Sequence, residues 1–124
     1  MNLSANILMI EDDKDFQHFT RILLSRAGYN IYCAENEESA FALLKDHAMQ
    51  LVFVDYMLPN VNGISLFEKI RDFHKIPFAV LMSGLPKEEI EEQNGVEIFS
   101  EIIEKPFSSN DILSIVKKYT EKAN

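Results

Sequence analysis

The chain has 124 residues, 47% of them apolar, and a formal net charge of −8 from 20 acidic and 12 basic side chains. That length suits one domain, residues 1–124, with a real core, and the apolar content with nine Phe argues against disorder. The acidity argues against a nucleic-acid groove or an anionic membrane as partner, since both attract clustered Lys and Arg, and the single cysteine, Cys33, cannot form an internal disulfide.

The first apolar run, ILMI (7–10), predicts a strand, and DFQHFTRILLSRAG predicts a helix with Phe16, Phe19 and Leu23 on its apolar face and Gly28 as its stop. NIYCA (30–34) is the next strand and ESAFALLKDH (38–47) the next helix, with Ala40, Leu43, Leu44 and His47 at i, i+3, i+4 and i+7. LVFV (51–54) runs into the turn-rich DYMLPNVNG, after which Ile64, Phe67 and Ile70 mark a third helix. FAVLM (78–82) is a fourth strand, and LPKEEIEEQNG predicts a short helix at 87–93, opened by Pro86 and ended at Asn94-Gly95. IIE (102–104) is a brief fifth strand. The last helix begins at SSND, where a Ser or Asn caps the free amides, and Ile112, Leu113, Ile115, Val116 and Tyr119 line its buried side.

Five strands alternating with five helices predict an α/β fold, a doubly wound parallel sheet covered on both faces. The unbroken apolar runs at 7–10, 51–54 and 78–82 suit its centre. The sequence shows no charged-then-apolar leader and no apolar stretch of membrane-spanning length, so a soluble, cytoplasmic chain without a membrane partner is expected.

In an open parallel sheet, ligands bind beyond the carboxyl ends of the strands. The first run ends in Glu11-Asp12-Asp13, the third in Asp55, the fourth in Ser83-Gly84 and the fifth in Lys105-Pro106. Each has a plain explanation. Asp13 and Asp15 suit capping of the first helix, Asp55 suits an Asx turn, Ser83 is an ordinary turn hydroxyl, and Lys105 is a salt-bridge partner. Four such coincidences at four strand ends make a poor joint account, whereas one shared site explains them together.

Clustered carboxylates repel one another and raise each other's pKa values, a conflict that a divalent cation relieves. Oxygen ligands without His or Cys point to Mg²⁺ rather than zinc. Magnesium accepts phosphate oxygens, Lys105 can pair with the same anion, and Ser83 can donate to it. Asp55 is then the candidate nucleophile, forming an acyl phosphate by chemistry that is mostly positioning and charge neutralisation.

The chain resembles the receiver domain of two-component response regulators (CheY-like) over essentially its whole length. ILMIEDD is similar to that family's first strand and acidic pair, LVFVDYMLPNVNG to its phosphoacceptor strand and loop, LMSG to its hydroxyl position and EKPF to its lysine-proline step. Asp12, Asp55, Ser83 and Lys105 follow at intervals of 43, 28 and 22 residues. The resemblance implies a flavodoxin-like sheet in the order 2-1-3-4-5. It implies that Asp55 takes a phosphoryl group from a phosphohistidine on a sensor histidine kinase or phosphotransfer protein. Asp12 and Asp55 would bind Mg²⁺ directly, Glu11 through water, and Met57 through its backbone carbonyl. Lys105 would contact the phosphoryl group and Ser83 would swing toward it, changing the surface shown to a downstream protein. Such a chain is a regulatory phosphoacceptor rather than an enzyme, assisting only its own phosphorylation and slow dephosphorylation.

Three departures stand out. Many receivers carry an aromatic residue three positions before the lysine; here it is Ile102, with Phe99 as a candidate substitute whose plainer role is core packing. A shortened fourth helix followed by a longer connection would account for the shift. The positions two beyond the phosphoacceptor and two beyond the hydroxyl, which tune phosphoryl lifetime in the family, are the apolar Met57 and Leu85. The helix at 87–93 offers one apolar residue, Ile90, and is expected to be among the least stable parts.

Two other functions compete. A pseudo-receiver would fold without phosphorylation, but the acids, phosphoacceptor and lysine are all present. A haloacid-dehalogenase-like phosphatase places DxD after its first strand, where this chain has EDD, and Met57 stands two beyond Asp55. A weak homodimer through the fourth helix, fifth strand and fifth helix stays open, with no clear support from the acidic 87–92 segment.

Overall fold

The computed structural model describes residues 5–122. In chain order stand β1 (Asn6–Ile10), α1 (Lys14–Arg26), β2 (Asn30–Ala34), α2 (Glu37–Asp46), β3 (Leu51–Asp55), α3 (Gly63–Phe73), β4 (Phe78–Ser83), α4 (Lys87–Glu91), β5 (Glu101–Glu104) and α5 (Ser109–Lys122), with a 3-10 turn at Val96–Ile98. The strands pair in parallel in the order β2-β1-β3-β4-β5, as the resemblance implied.

Side chains alternate across a strand, so each apolar run feeds two cores. Leu8, Ile10, Val52, Val54 and Leu81 face α2, α3 and α4, where they meet Ala40, Leu44, Phe67, Ile70 and Ile90. Ile7, Met9, Phe53, Val80 and Met82 face α1 and α5, where they meet Leu24, Ile112, Val116 and Tyr119. Each fully buried Leu or Ile contributes about 1.5–3 kcal/mol of apolar burial.

The first helix corrects the sequence expectation. Its buried residues are Gln17, Thr20 and Leu24, while Phe19 is 41% exposed and Phe16 and Leu23 are half-buried. The buried face lies one residue round from the apolar stripe, a rotation of about 100°. Two polar side chains are tolerated there because both are satisfied. Thr20 Oγ1 donates within its own helix, toward the carbonyls of Phe16 (3.0 Å) and Gln17 (3.1 Å), and Gln17 Nε2 donates to the carbonyl of Glu11.

The remaining helices follow their patterns more closely. In α2, Ala40 and Leu44 are buried, and His47 leaves the helix as its C-cap to stack on Tyr32 with 4.3 Å between ring centres. Ser108 caps α5: its Oγ accepts from Asp111 N–H (3.2 Å) and the Asp111 carboxylate accepts from Ser108 N–H (2.9 Å). Ile112, Ile115, Val116 and Tyr119 are buried beneath it and Leu113 half-buried. The fourth helix is short, as expected, and ends two residues earlier than 93; Gly95, at φ 88°, then opens the 3-10 turn. Ile90 is completely buried and pins α4 to the sheet.

Candidate functional site

Each strand end delivers its polar residue for a local reason. Beyond β1, the Glu11 N–H still donates to the Ala34 carbonyl (2.9 Å), keeping Glu11 in line with the sheet and buried. Asp13 caps α1, its carboxylate accepting from the N–H groups of Asp15 (3.0 Å) and Phe16 (3.2 Å), so capping is its role here. Asp12 between them is left exposed at the rim.

Asp55 ends β3 and is buried. The loop after it is pinned at both sides. Tyr56 N–H donates to Met82 O (2.8 Å), Gly63 N–H donates to Tyr56 O (2.8 Å), and Met57 pairs with Asn62 in an antiparallel bridge. Asn62 in turn caps α3 by accepting from Ser65 N–H (2.8 Å). A Cβ on Gly63 would stand 2.3 Å from the Asp55 carbonyl oxygen, so glycine is required where α3 starts against the end of β3.

Ser83 ends β4 on the neighbouring strand and is buried; its Oγ accepts from Leu85 N–H (2.9 Å). The Ser83 carbonyl accepts from Lys105 N–H (2.7 Å), just past the end of β5, and the Lys105–Pro106 peptide is cis. The Lys105 ammonium lies 2.9 Å from Glu11 Oε1 and 3.5 Å from Asp55 Oδ1. The residues picked from four strand ends thus meet on one rim, and the lysine ties the first to the third.

Oxygens of Glu11, Asp12 and Asp55 lie within 4.8 Å of one another. Burial, then a hydrogen bond and charge repulsion from Asp55, push the Glu11 carboxyl up to about 8 despite the lysine beside it. Burial pulls the Lys105 ammonium down, but the Glu11 hydrogen bond and the Asp55 charge outweigh it, and its pKa is raised. Glu11 Oε2 is buried without a hydrogen-bond partner among the described residues. A buried orphan oxygen beside two further carboxylates is a donor set that fits a hard cation such as Mg²⁺ or its bound water.

The sequence patterns did not reveal three neighbours of the site. Gln17 holds the Glu11 carbonyl from α1. The Phe16 ring faces the Lys105 ammonium at 5.3 Å and packs edge-on against Phe107 at 5.6 Å. Glu104 Oε1 accepts from Lys87 N–H (2.9 Å), supplying the cap that Pro86 cannot. The only hints were a Gln one turn into α1 and an acid directly before Lys-Pro. Met57 and Leu85 are exposed, at 66% and 37%. Phe99 is core, its ring 5.1 Å from that of Phe67, and Ile102 is half-buried beside the same core.

Among the described residues no helix is long and apolar enough to cross a membrane. Residues 7–117 match the family described as the response regulator receiver domain. The phosphate regulon transcriptional regulatory protein PhoB of Pseudomonas aeruginosa is 30% identical over 117 residues, 93% of this chain and 51% of that protein. The transcriptional regulatory protein CpxR of Klebsiella pneumoniae is 28% identical over 119 residues, 95% of this chain and 50% of that protein. The chain therefore spans about half the length of these curated relatives. Among solved structures, a two-component response regulator from Clostridium difficile superposes with a TM-score of 0.87 at 24% identity, covering 97% of this chain and 98% of that one. The response regulator TrrA of Thermotoga maritima, solved in complex with Mg²⁺ and BeF, gives 0.80 at 23%, covering 93% and 98%. The chain belongs to the response regulator receiver domain family of two-component systems, whose members act as regulatory switches.

Proposed function

We propose that residues 1–124 form one receiver domain that is phosphorylated on Asp55 with Mg²⁺. The observation that carries this reading is the Lys105 ammonium set between Glu11 (2.9 Å) and Asp55 (3.5 Å), two acids that cluster with Asp12. An ammonium and three clustered carboxylates form a site that gains most when a cation and a phosphoryl anion enter together.

In this reading a carboxylate oxygen of Asp55 attacks the phosphorus of a phosphohistidine. The P–O bond forms as the P–N bond breaks, and the imidazole leaves with its electron pair. The donor is a sensor histidine kinase or a phosphotransfer protein. Asp12 and Asp55 would hold Mg²⁺ directly, Glu11 would reach it through water, and the Met57 carbonyl would be a further ligand. The cation's part is to neutralise the carboxylates and the phosphoryl oxygens. Lys105 turns from Glu11 to the phosphoryl group, and Ser83 donates its hydroxyl proton to it while still accepting from Leu85 N–H. Both moves pull on the loops after β4 and β5 and alter the face offered to a downstream partner.

Incubation with Mg²⁺ and a small acyl phosphate, read by intact mass, tests this. One phosphoryl adduct is expected on the parent and none on Asp55→Asn. A parent that binds Mg²⁺ but takes no adduct would be a pseudo-receiver, and an adduct kept by the variant would move the site.

A further inference from the structure

We infer that the C-terminal ends of α2 and α3 form a docking surface for an acidic protein segment with an aromatic or aliphatic anchor, separate from the phosphoacceptor rim. Phe73, in the last turn of α3, is 71% exposed, more than any other large apolar side chain of the described residues. Its ring packs edge-to-face with Phe41 of α2, at 6.1 Å between centres, and the two line an open cleft of about 640 Å³ with Lys45, Lys69 and His74. A second cleft shares Lys45, Phe73 and His74 with the first and is also lined by Asp46 and Lys75. The phenyl ring thus borders both hollows, a shape that suits an inserted apolar side chain.

Charge identifies the occupant. The chain is strongly acidic, yet Lys45, Lys69 and Lys75, three of its 12 basic residues, line these clefts against one acid, Asp46. Lys69 is bound to Glu37 at 2.8 Å, while Lys45 and Lys75 make no ion pair among the described residues. Lys45 complements the negative end of α2, but that accounts for neither Lys75 nor an exposed phenylalanine. Apolar area ringed by unpaired cations is the complement of a segment carrying Asp or Glu around a hydrophobic anchor. A second copy of the chain fits less well, because its acidic 88–92 segment has Ile90 fully buried and offers no anchor.

Helices of this fold run back against the strands, so these helix ends lie at the opposite edge of the sheet from Asp55. The surface therefore serves constant attachment rather than the phosphorylation-dependent face, and the inference stands without the phosphorylation reading. A random peptide display library selected on the immobilised full chain, followed by anisotropy with the enriched consensus peptide, tests it. Enriched peptides are expected to be acidic with a central aromatic or aliphatic residue. Affinity should fall at least about tenfold in Phe73→Ser and, independently, in the exposed Lys45→Glu/Lys75→Glu pair. It should not change when Mg²⁺ and an acyl phosphate are added. Peptides without acidic bias, or with equal affinity for Phe73→Ser and the charge-reversed pair, would overturn the inference. Self-association of the parent that Phe73→Ser abolishes would overturn it too, by assigning the face to a second copy.

Discussion

Glu11 is the residue whose surroundings are most demanding. Its carboxyl is buried, faces Asp55, and leaves one oxygen without a partner, so its pKa rises to about 8 from 4.5. A raised acid pKa means that the folded state holds its proton more tightly than the unfolded state. The contribution of Glu11 to stability is therefore full below about pH 4.5 and is lost as pH rises toward 8. Without Mg²⁺, the melting temperature of the parent should fall relative to Glu11→Gln across that window. Added Mg²⁺ should recover it, more strongly at pH 8 than at pH 6; a parent-to-variant difference independent of pH would contradict the assignment. In the proposed reading, Met57 and Leu85 bear on a later step. Their exposed apolar side chains, two residues beyond Asp55 and Ser83, would offer an attacking water no hydrogen bond. Phosphoryl loss should quicken about tenfold, or about 1.4 kcal/mol of barrier, in Met57→Asn and Leu85→Glu. Half-lives equal to the parent's would argue against the idea.

At the scale of elements, two joints position the site. The first is the start of α3, where the backbone of Gly63 lies against the Asp55 carbonyl with no room for a methyl group. Gly63→Ala should cost about 1–3 kcal/mol and weaken Mg²⁺ binding, because the obstructing atom is backbone and cannot turn aside. Urea unfolding with a Mg²⁺ titration checks both. The second is α4, five residues anchored by Ile90 and capped from the next strand by Glu104. Glu104→Ala should speed amide exchange at 87–91 while the midpoint of global unfolding barely moves. Unchanged exchange there would show that Ile90 alone holds the helix.

At the scale of the whole molecule, the sheet was legible because its central strands are unbroken apolar runs that a fully covered parallel sheet requires. That Glu11, Asp12, Asp55, Ser83 and Lys105 gather at one edge was legible because parallel topology sends all strand ends there. The buried face of α1 was not. A period marks which apolar residues share a side, yet Gln17 and Thr20 took the inner face once each found a carbonyl. The Glu104 cap and the Phe16 ring beside Lys105 were equally hidden, since both join residues far apart in the chain. The turn at Pro59–Gly63 was read correctly as a break, but the need for glycine at its end comes from contact with Asp55, which spacing alone does not carry.

The central claim is that this edge makes an acyl phosphate on one named carboxylate. Borohydride reduces an aspartyl acyl phosphate to homoserine and so marks the residue that carried it. After treatment with Mg²⁺ and a small acyl phosphate, then borohydride, peptide sequencing by mass spectrometry should find homoserine at position 55 and nowhere else. Homoserine at position 12, or its absence from a chain that demonstrably binds Mg²⁺, would contradict the account.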